Sequence, residues 1–139
     1  GSIDCVVTDH APHAPHEKDC EWEIAFFGIV GLETSLPLML TNLVLPGKMS
    51  WSRLVEVMAV NPRRCLRLPE VRIEAGSTAD LTLIDPAAQV TVTEDWLQSR
   101  SKNSAWLGQT LTGCATDVFV AGRRTLTEGV PTPVRRGFR

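Results

Sequence analysis

The sequence predicts an α/β chain whose two halves differ in kind, and three observations carry this. Ile3-Asp4-Cys5-Val6-Val7 is a short β-prone run that stops at Thr8-Asp9 and opens into a long loop, followed by leucines at helical spacing. From about Pro69 the helical periodicity ends, and short β-rich runs bounded by Gly, Asp and Pro take over. All three histidines, His10, His13 and His16, fall within seven positions of the loop after the first run. Structural histidines are usually dispersed, so the loop is the place to look for chemistry.

Taken in order, Ile3 to Val7 reads as a buried strand, nearly continuous in apolar residues as strands covered on both faces are. Asp9 then stands at its tip. His10 to Phe27 is a loop punctuated by Pro12 and Pro15, with Glu17-Lys18-Asp19 in its middle; loops this long usually serve a purpose. Leu32, Leu36, Met39, Leu40 and Leu43 predict a helix through about Val44, with Pro37 either kinking it or marking its first turn, and Pro46-Gly47 ending it. Ser50 or Ser52 caps a second helix with Leu54, Val55, Met58 and Ala59 inward. Asn61-Pro62 reads as the cap and first position of a short third helix that buries Cys65, Leu66 and Leu68. In the second half, Leu81 to Ile84 is a strand closed by Asp85-Pro86, and Val90 to Val92 is another. Val118 to Val120, Ala121-Gly122 and Arg123 to Leu126 read as a hairpin. The division is placed near residue 69, giving parts 1–69 and 70–139.

Composition narrows the function. A hydrophobic share of 43% with 22% charged residues allows one domain with its own core, yet 139 residues fall far short of the roughly 250 of a whole (β/α)8 barrel. A net charge of -2 offers no electrostatic reason to expect nucleic acid or an acidic membrane surface. Arg123-Arg124 with Arg135, Arg136 and Arg139 read as a solvated, slightly basic end. No apolar run approaches the length of a membrane span, and no signal-peptide layout is visible, which points to the cytoplasm. Cys5, Cys20, Cys65 and Cys114 form no C-x-x-C pair and read as buried, reduced thiols.

Strand tips on the carboxyl face of α/β barrels carry catalytic groups. Asp9 at such a tip can hold a divalent metal and move a proton, though a turn or capping role suits the same position. The spacing His10-x-x-His13-x-x-His16 on a Pro-rich loop does not bring three nitrogens together as a zinc site. One histidine facing substrate, with the others holding the loop, fits better. Phe27-Gly28 either lets backbone touch a bound ring or packs above the barrel.

Val7-Thr8-Asp9-His10-Ala11-Pro12-His13, Glu17-Lys18 and Phe27-Gly28-Ile29-Val30-Gly31-Leu32-Glu33-Thr34 together resemble the carboxyl-terminal part of class I dihydroorotases. Asn61-Pro62-Arg63-Arg64, Ala75 to Leu81, Ser101-Lys102-Asn103 and Val120 to Arg123 agree with it. The resemblance implies the last strand of a TIM-like (β/α)8 metal-dependent hydrolase barrel with its active-site loop and terminal helices in 1–69. A carboxyl-terminal β-sandwich portion follows in 70–139. It implies zinc-dependent, reversible hydrolysis of the cyclic amide of dihydroorotate to carbamoyl aspartate. Asp9 is then the last metal ligand and the proton carrier to the leaving nitrogen, His13 binds the substrate carboxylate, and Phe27 and Gly28 meet the ring through backbone. His10 supports the loop. A homo-oligomer is implied, with aspartate transcarbamoylase as a further partner.

Ala25-Phe26 stands where the family commonly has Pro before Phe-Gly. The His-x-His pair, the bridging lysine and the other histidine ligands of the family have no counterpart among these residues. The chain is therefore expected to be part of a longer protein, to be inactive alone, and to expose apolar surface. The competing readings are an allantoinase or hydantoinase, and a non-catalytic subunit supporting aspartate transcarbamoylase.

Overall fold

The computed structural model of the chain describes residues 2–132. Its first half is helical and its second half is a four-stranded antiparallel sheet in the order β1-β2-β3-β4. Within the loop, Pro15–Lys18 forms one turn, α1, with Pro15 leading it where a missing N–H costs nothing. Leu32–Met39 is α2, and it runs on into a wider π-type turn over Leu40–Val44, giving the helix through Val44 that the leucine spacing predicts. Pro37 lies buried inside α2 rather than in its first turn. Gly47, at φ 75°, turns the chain away from the helix.

Ser50 is the cap of the second helical stretch: its hydroxyl accepts the Arg53 N–H at 3.1 Å. From there α3 (Trp51–Val55), a π-type turn (Glu56–Val60) and α4 (Asn61–Cys65) follow without a break. Asn61 therefore does not cap a new helix. Its backbone is already helical, which leaves its side-chain amide free to donate to the Asp4 carbonyl at 2.8 Å. Leu54 and Val57 are buried, with Met58 against the same cluster. Val55, Ala59, Cys65, Leu66 and Leu68 are exposed, contrary to the sequence reading. Helical periodicity marks an apolar flank, but these residues have no layer over them among the described residues.

The run Ile3 to Val7 likewise forms no strand, and Ile3 and Val7 are exposed. A strand exists only against a neighbour, and among the described residues the run has a single backbone–backbone bond, Val6 N–H to the Val57 carbonyl at 3.0 Å. The thiols also differ from expectation. Cys20 and Cys65 are exposed, and Cys5 lies with its sulfur 3.6 Å from that of Cys65. Burial, then the Cys65 contact, pushes the Cys5 thiol above its ordinary value.

In the second half, Leu81–Thr91 (β1) is one strand, not two. It pairs with Thr110–Val120 (β2), and Pro86-Ala87-Ala88 stand opposite Gly113 alone. This is a bulge, and the Asp85 carboxylate holds it by accepting the N–H groups of Ala87 (2.9 Å) and Ala88 (3.3 Å). Asp85-Pro86 bends the strand where the sequence reading ended it, because a bulge spares proline the ladder bond it cannot make. Arg123–Thr127 (β3) follows β2 through the expected hairpin, with Ala121 and Gly122 both at positive φ (49° and 76°). Val130–Pro131 (β4) completes the sheet, and Arg135, Arg136 and Arg139 lie outside the described residues.

The helical half docks on β2. The Thr41 hydroxyl accepts the Thr112 N–H at 2.8 Å and donates to the Thr112 carbonyl at 3.1 Å. A side chain at Gly113 would begin 2.5 Å from Leu40 Cδ1, so glycine alone permits this approach. Two small cores result, Leu40, Val44 and Leu54 under the helices and Val30, Val92, Leu97 and Leu111 beside the loop.

Candidate active-site loop

Asp9 is held at φ 45°, a left-handed conformation that costs a side-chain-bearing residue on the order of 1 kcal/mol, Asp among the least. It is exposed, and among the described residues its carboxylate accepts no hydrogen bond. The next residue, His10, is tied down: its Nδ1 accepts the N–H groups of Gly31 (3.1 Å) and Leu32 (3.3 Å), the first free donors of α2. With Nδ1 accepting both bonds, Nε2 is left to carry the ring's hydrogen. Beside it the Ala11 N–H donates to the Ile29 carbonyl at 3.0 Å, closing an isolated parallel bridge between His10 and Ile29. The sequence reading gave His10 a supporting role without finding the helix end that it caps.

His13 lies on the inner side of the loop, half-buried. Its Nε2 is 2.8 Å from the Phe27 carbonyl, its Nδ1 is 3.6 Å from Glu17 Oε2, and its ring stacks on Phe26 at 5.4 Å between centroids. Glu17 in turn accepts the Ala14 N–H at 2.7 Å, which fixes the first turn of α1 beneath the imidazole. The Phe26 N–H donates to the Glu17 carbonyl at 3.1 Å, a bond that a proline at this position would lack. His16 is exposed and makes no hydrogen bond among the described residues.

Phe27 is 92% exposed, so its ring packs on nothing among the described residues. Gly28, at φ 105°, comes so close to the loop that a Cβ would stand 2.5 Å from Ala11 Cβ. The candidate residues Asp9, His13, Phe27 and Gly28 thus belong to one folded loop, with His13 bonded to the Phe27 carbonyl next to Gly28 and Asp9 exposed at its start. Sequence reasoning missed Lys18 and Asn103. Lys18 Nζ donates to the carbonyls of Phe26 and, at 3.1 Å, of Gly28; the Asn103 amide donates to the Gly28 carbonyl at 2.9 Å. Spacing holds no signal for such bonds, since 75 positions separate Asn103 from Gly28.

Among the described residues no group of three His, Cys, Asp or Glu side chains could hold a metal ion. Asp9 offers one carboxylate, and the neighbouring imidazole is already bound to a helix end. These residues do not by themselves fit a zinc centre. No described helix is long and apolar enough to cross a membrane.

No family model matches the chain. In sequence it is 53% identical over 123 residues to a dihydroorotase of Trichlorobacter lovleyi, a match covering 88% of this chain and 29% of that protein. It is 43% identical over 136 residues to a dihydroorotase of Mycobacterium leprae, covering 96% of this chain and 31% of that one. Among solved structures, an L-hydantoinase (dihydropyrimidinase) from Arthrobacter aurescens superposes with a TM-score of 0.85 and 34% identity, over 94% of this chain and 30% of that protein. The chain therefore spans less than a third of the length of these relatives.

Proposed function

We propose, from the premise that this chain is related to the carboxyl-terminal portion of the dihydroorotases, that it forms part of an enzyme that hydrolyses the cyclic amide of dihydroorotate reversibly to carbamoyl aspartate, in pyrimidine biosynthesis. The observation that carries this is the loop from Asp9 to Gly28, with an exposed, unpaired carboxylate at its start and a glycine backbone pinned by Lys18 and Asn103 at its end. Residues 1–69 supply the last barrel strand, the loop and terminal helices, and residues 70–139 part of a β-sandwich. The unpaired run Ile3 to Val7 and the exposed Leu66 are then surfaces that the remaining barrel covers.

In this reading Asp9 takes a proton from the attacking water and delivers it to the leaving ring nitrogen. A carboxylate free of other partners suits both halves of that task. Phe27 and Gly28 meet the ring through their backbone. His13 meets the substrate carboxylate; with Nε2 engaged by the Phe27 carbonyl, the imidazole does so by its second nitrogen or by turning. Zinc belongs to the whole enzyme, with Asp9 as one ligand and the others outside this chain. A homo-oligomer in the cytoplasm, with aspartate transcarbamoylase as a further partner, completes the proposal and is open to co-purification.

The test is turnover of dihydroorotate by the complete protein carrying this stretch, beside the 139-residue chain alone. The complete protein is expected to be active and the chain alone inactive, for want of ligands. Activity of the chain alone, purified with zinc, would overturn the assignment of the missing ligands. The hydantoinase structure favours a second reading, a cyclic amidohydrolase of hydantoins. Faster turnover of hydantoins than of dihydroorotate by the complete protein would select it.

A further inference from the structure

Two motifs shared with the family, Glu17-Lys18 and Ser101-Lys102-Asn103, have no part in the chemistry above. The structure brings them together on three consecutive carbonyls of the loop. Lys18 holds those of Phe26 and Gly28, His13 holds that of Phe27, and Asn103 adds a second donor to Gly28. His13, Lys18 and Asn103 line one shallow cavity of about 290 Å³, so the hold comes from one side of the loop.

All peptide bonds among the described residues are trans, and a planar trans peptide sends its N–H opposite to its C=O. The ammonium on the Phe26 carbonyl therefore fixes where the Phe27 N–H points. The imidazole on the Phe27 carbonyl fixes the Gly28 N–H in the same way. Neither N–H makes a hydrogen bond among the described residues. Asn103 is itself anchored, since its backbone carbonyl accepts the Val30 N–H at 2.9 Å and its own N–H reaches Ser101 Oγ at 3.3 Å. Val30 is wholly buried in the core shared with Val92, Leu97 and Leu111, which makes that anchor rigid.

We propose that Lys18 and Asn103 are positioning residues: Lys18, together with His13, aims the free N–H groups of Phe27 and Gly28 at the oxygen acceptors of the bound ring, and Asn103 steadies the Gly28 carbonyl that Lys18 also holds. The proposal rests on the reading of the loop as the dihydroorotate site and deepens it. Neither residue touches the substrate. Their removal should weaken substrate binding while leaving the proton transfer through Asp9 in place.

The experiment is steady-state kinetics of the complete enzyme with Lys18→Met, Lys18→Arg and Asn103→Asp. Asn103→Asp keeps the backbone bond to Val30 and puts an oxygen where the donor stood, so the fold is retained. KM for dihydroorotate is expected to rise about tenfold in Lys18→Met and about threefold in Asn103→Asp, with kcat within about threefold. Lys18→Arg should recover most of the loss, because it still offers several donors. Tm should stay within about 2 °C, since a KM change with intact packing is what separates positioning from a structural role. An unchanged KM, a fall in kcat at constant KM, or a large fall in Tm that Lys18→Arg does not repair would overturn the proposal. If the unsubstituted enzyme fails to turn over dihydroorotate, the reading of the site falls and this proposal with it. Turnover with variants of unchanged KM sinks the proposal alone.

Discussion

Residues 3–7 and residues 118–126 are both short, β-prone runs, but only the second is built as strands. The hairpin brings its own partner two residues away, turned by Ala121-Gly122, and β1 lies on its far side. The run at Ile3 has no such neighbour and leaves Val7 80% exposed. A β propensity is an offer of backbone donors and acceptors, and a strand forms only where another strand takes it up. The same contrast runs through the two halves. The loop is held by side chains on its own carbonyls and carries Asp9 at positive φ, whereas the sheet is held by its backbone ladder.

The sharpest way to test that contrast is Asp9→Asn in the complete enzyme. It keeps shape but removes charge and basicity, and should lower kcat/KM for dihydroorotate by about 10³-fold with no loss of Tm. A matching loss of stability would mean that Asp9 is a structural turn residue after all. Gly113→Ala should do the reverse. A Cβ 2.5 Å from Leu40 Cδ1 at φ 87° should cost about 2–4 kcal/mol in urea unfolding, and less when introduced into a Leu40→Ala background than into the parent. An equal cost in both backgrounds would show that the positive φ, not the crowding, sets it. His13→Ala should raise KM about tenfold with a smaller change in kcat. A large fall in kcat at unchanged KM would contradict its proposed role in binding the substrate carboxylate.

The smallest effect is expected at Asp117. The Arg124 guanidinium bonded to it holds its carboxyl below the ordinary carboxylate value, with the Glu128 N–H adding to the effect. A carboxyl with a lowered folded value stabilises above its unfolded value of about 3.9 and loses that contribution as pH falls through the lowered one. Arg124→Met should therefore be less stable than the parent at pH 7. The gap should narrow toward pH 3, read from urea midpoints at the two pH values. A gap that stays constant with pH would assign the effect to packing of Arg124 over Phe119 instead.

Much of the helical half was legible because its signals are local. Leucine spacing located α2, the Ser50 hydroxyl marked the start of α3, and Ala121-Gly122 marked the hairpin. Asn61-Pro62 misled, because proline near a helix start also fits inside a continuous helix whose preceding turn has widened to π type. Asp85-Pro86 misled because a bulge and a strand end share the same residues. At the site, the clustering of His10, His13 and Asp9 was visible in one loop, whereas the holds by Lys18 and Asn103 were not.

By itself the sequence determined which residues could do chemistry here, through residue type and short spacing, and which runs were helical or β-prone, through periodicity. The tertiary structure decided which of those runs found partners, which flanks were buried, and how the loop is held. The physical reason is range. Capping, turn conformation and side-chain period act over a few residues, so the chain carries them openly. The pairing of β1 with β2 joins residues 19 to 38 positions apart, and the docking of Thr41 on Thr112 and the grip of Asn103 on Gly28 join residues 71 and 75 apart. Only the folded chain brings those atoms within bonding distance.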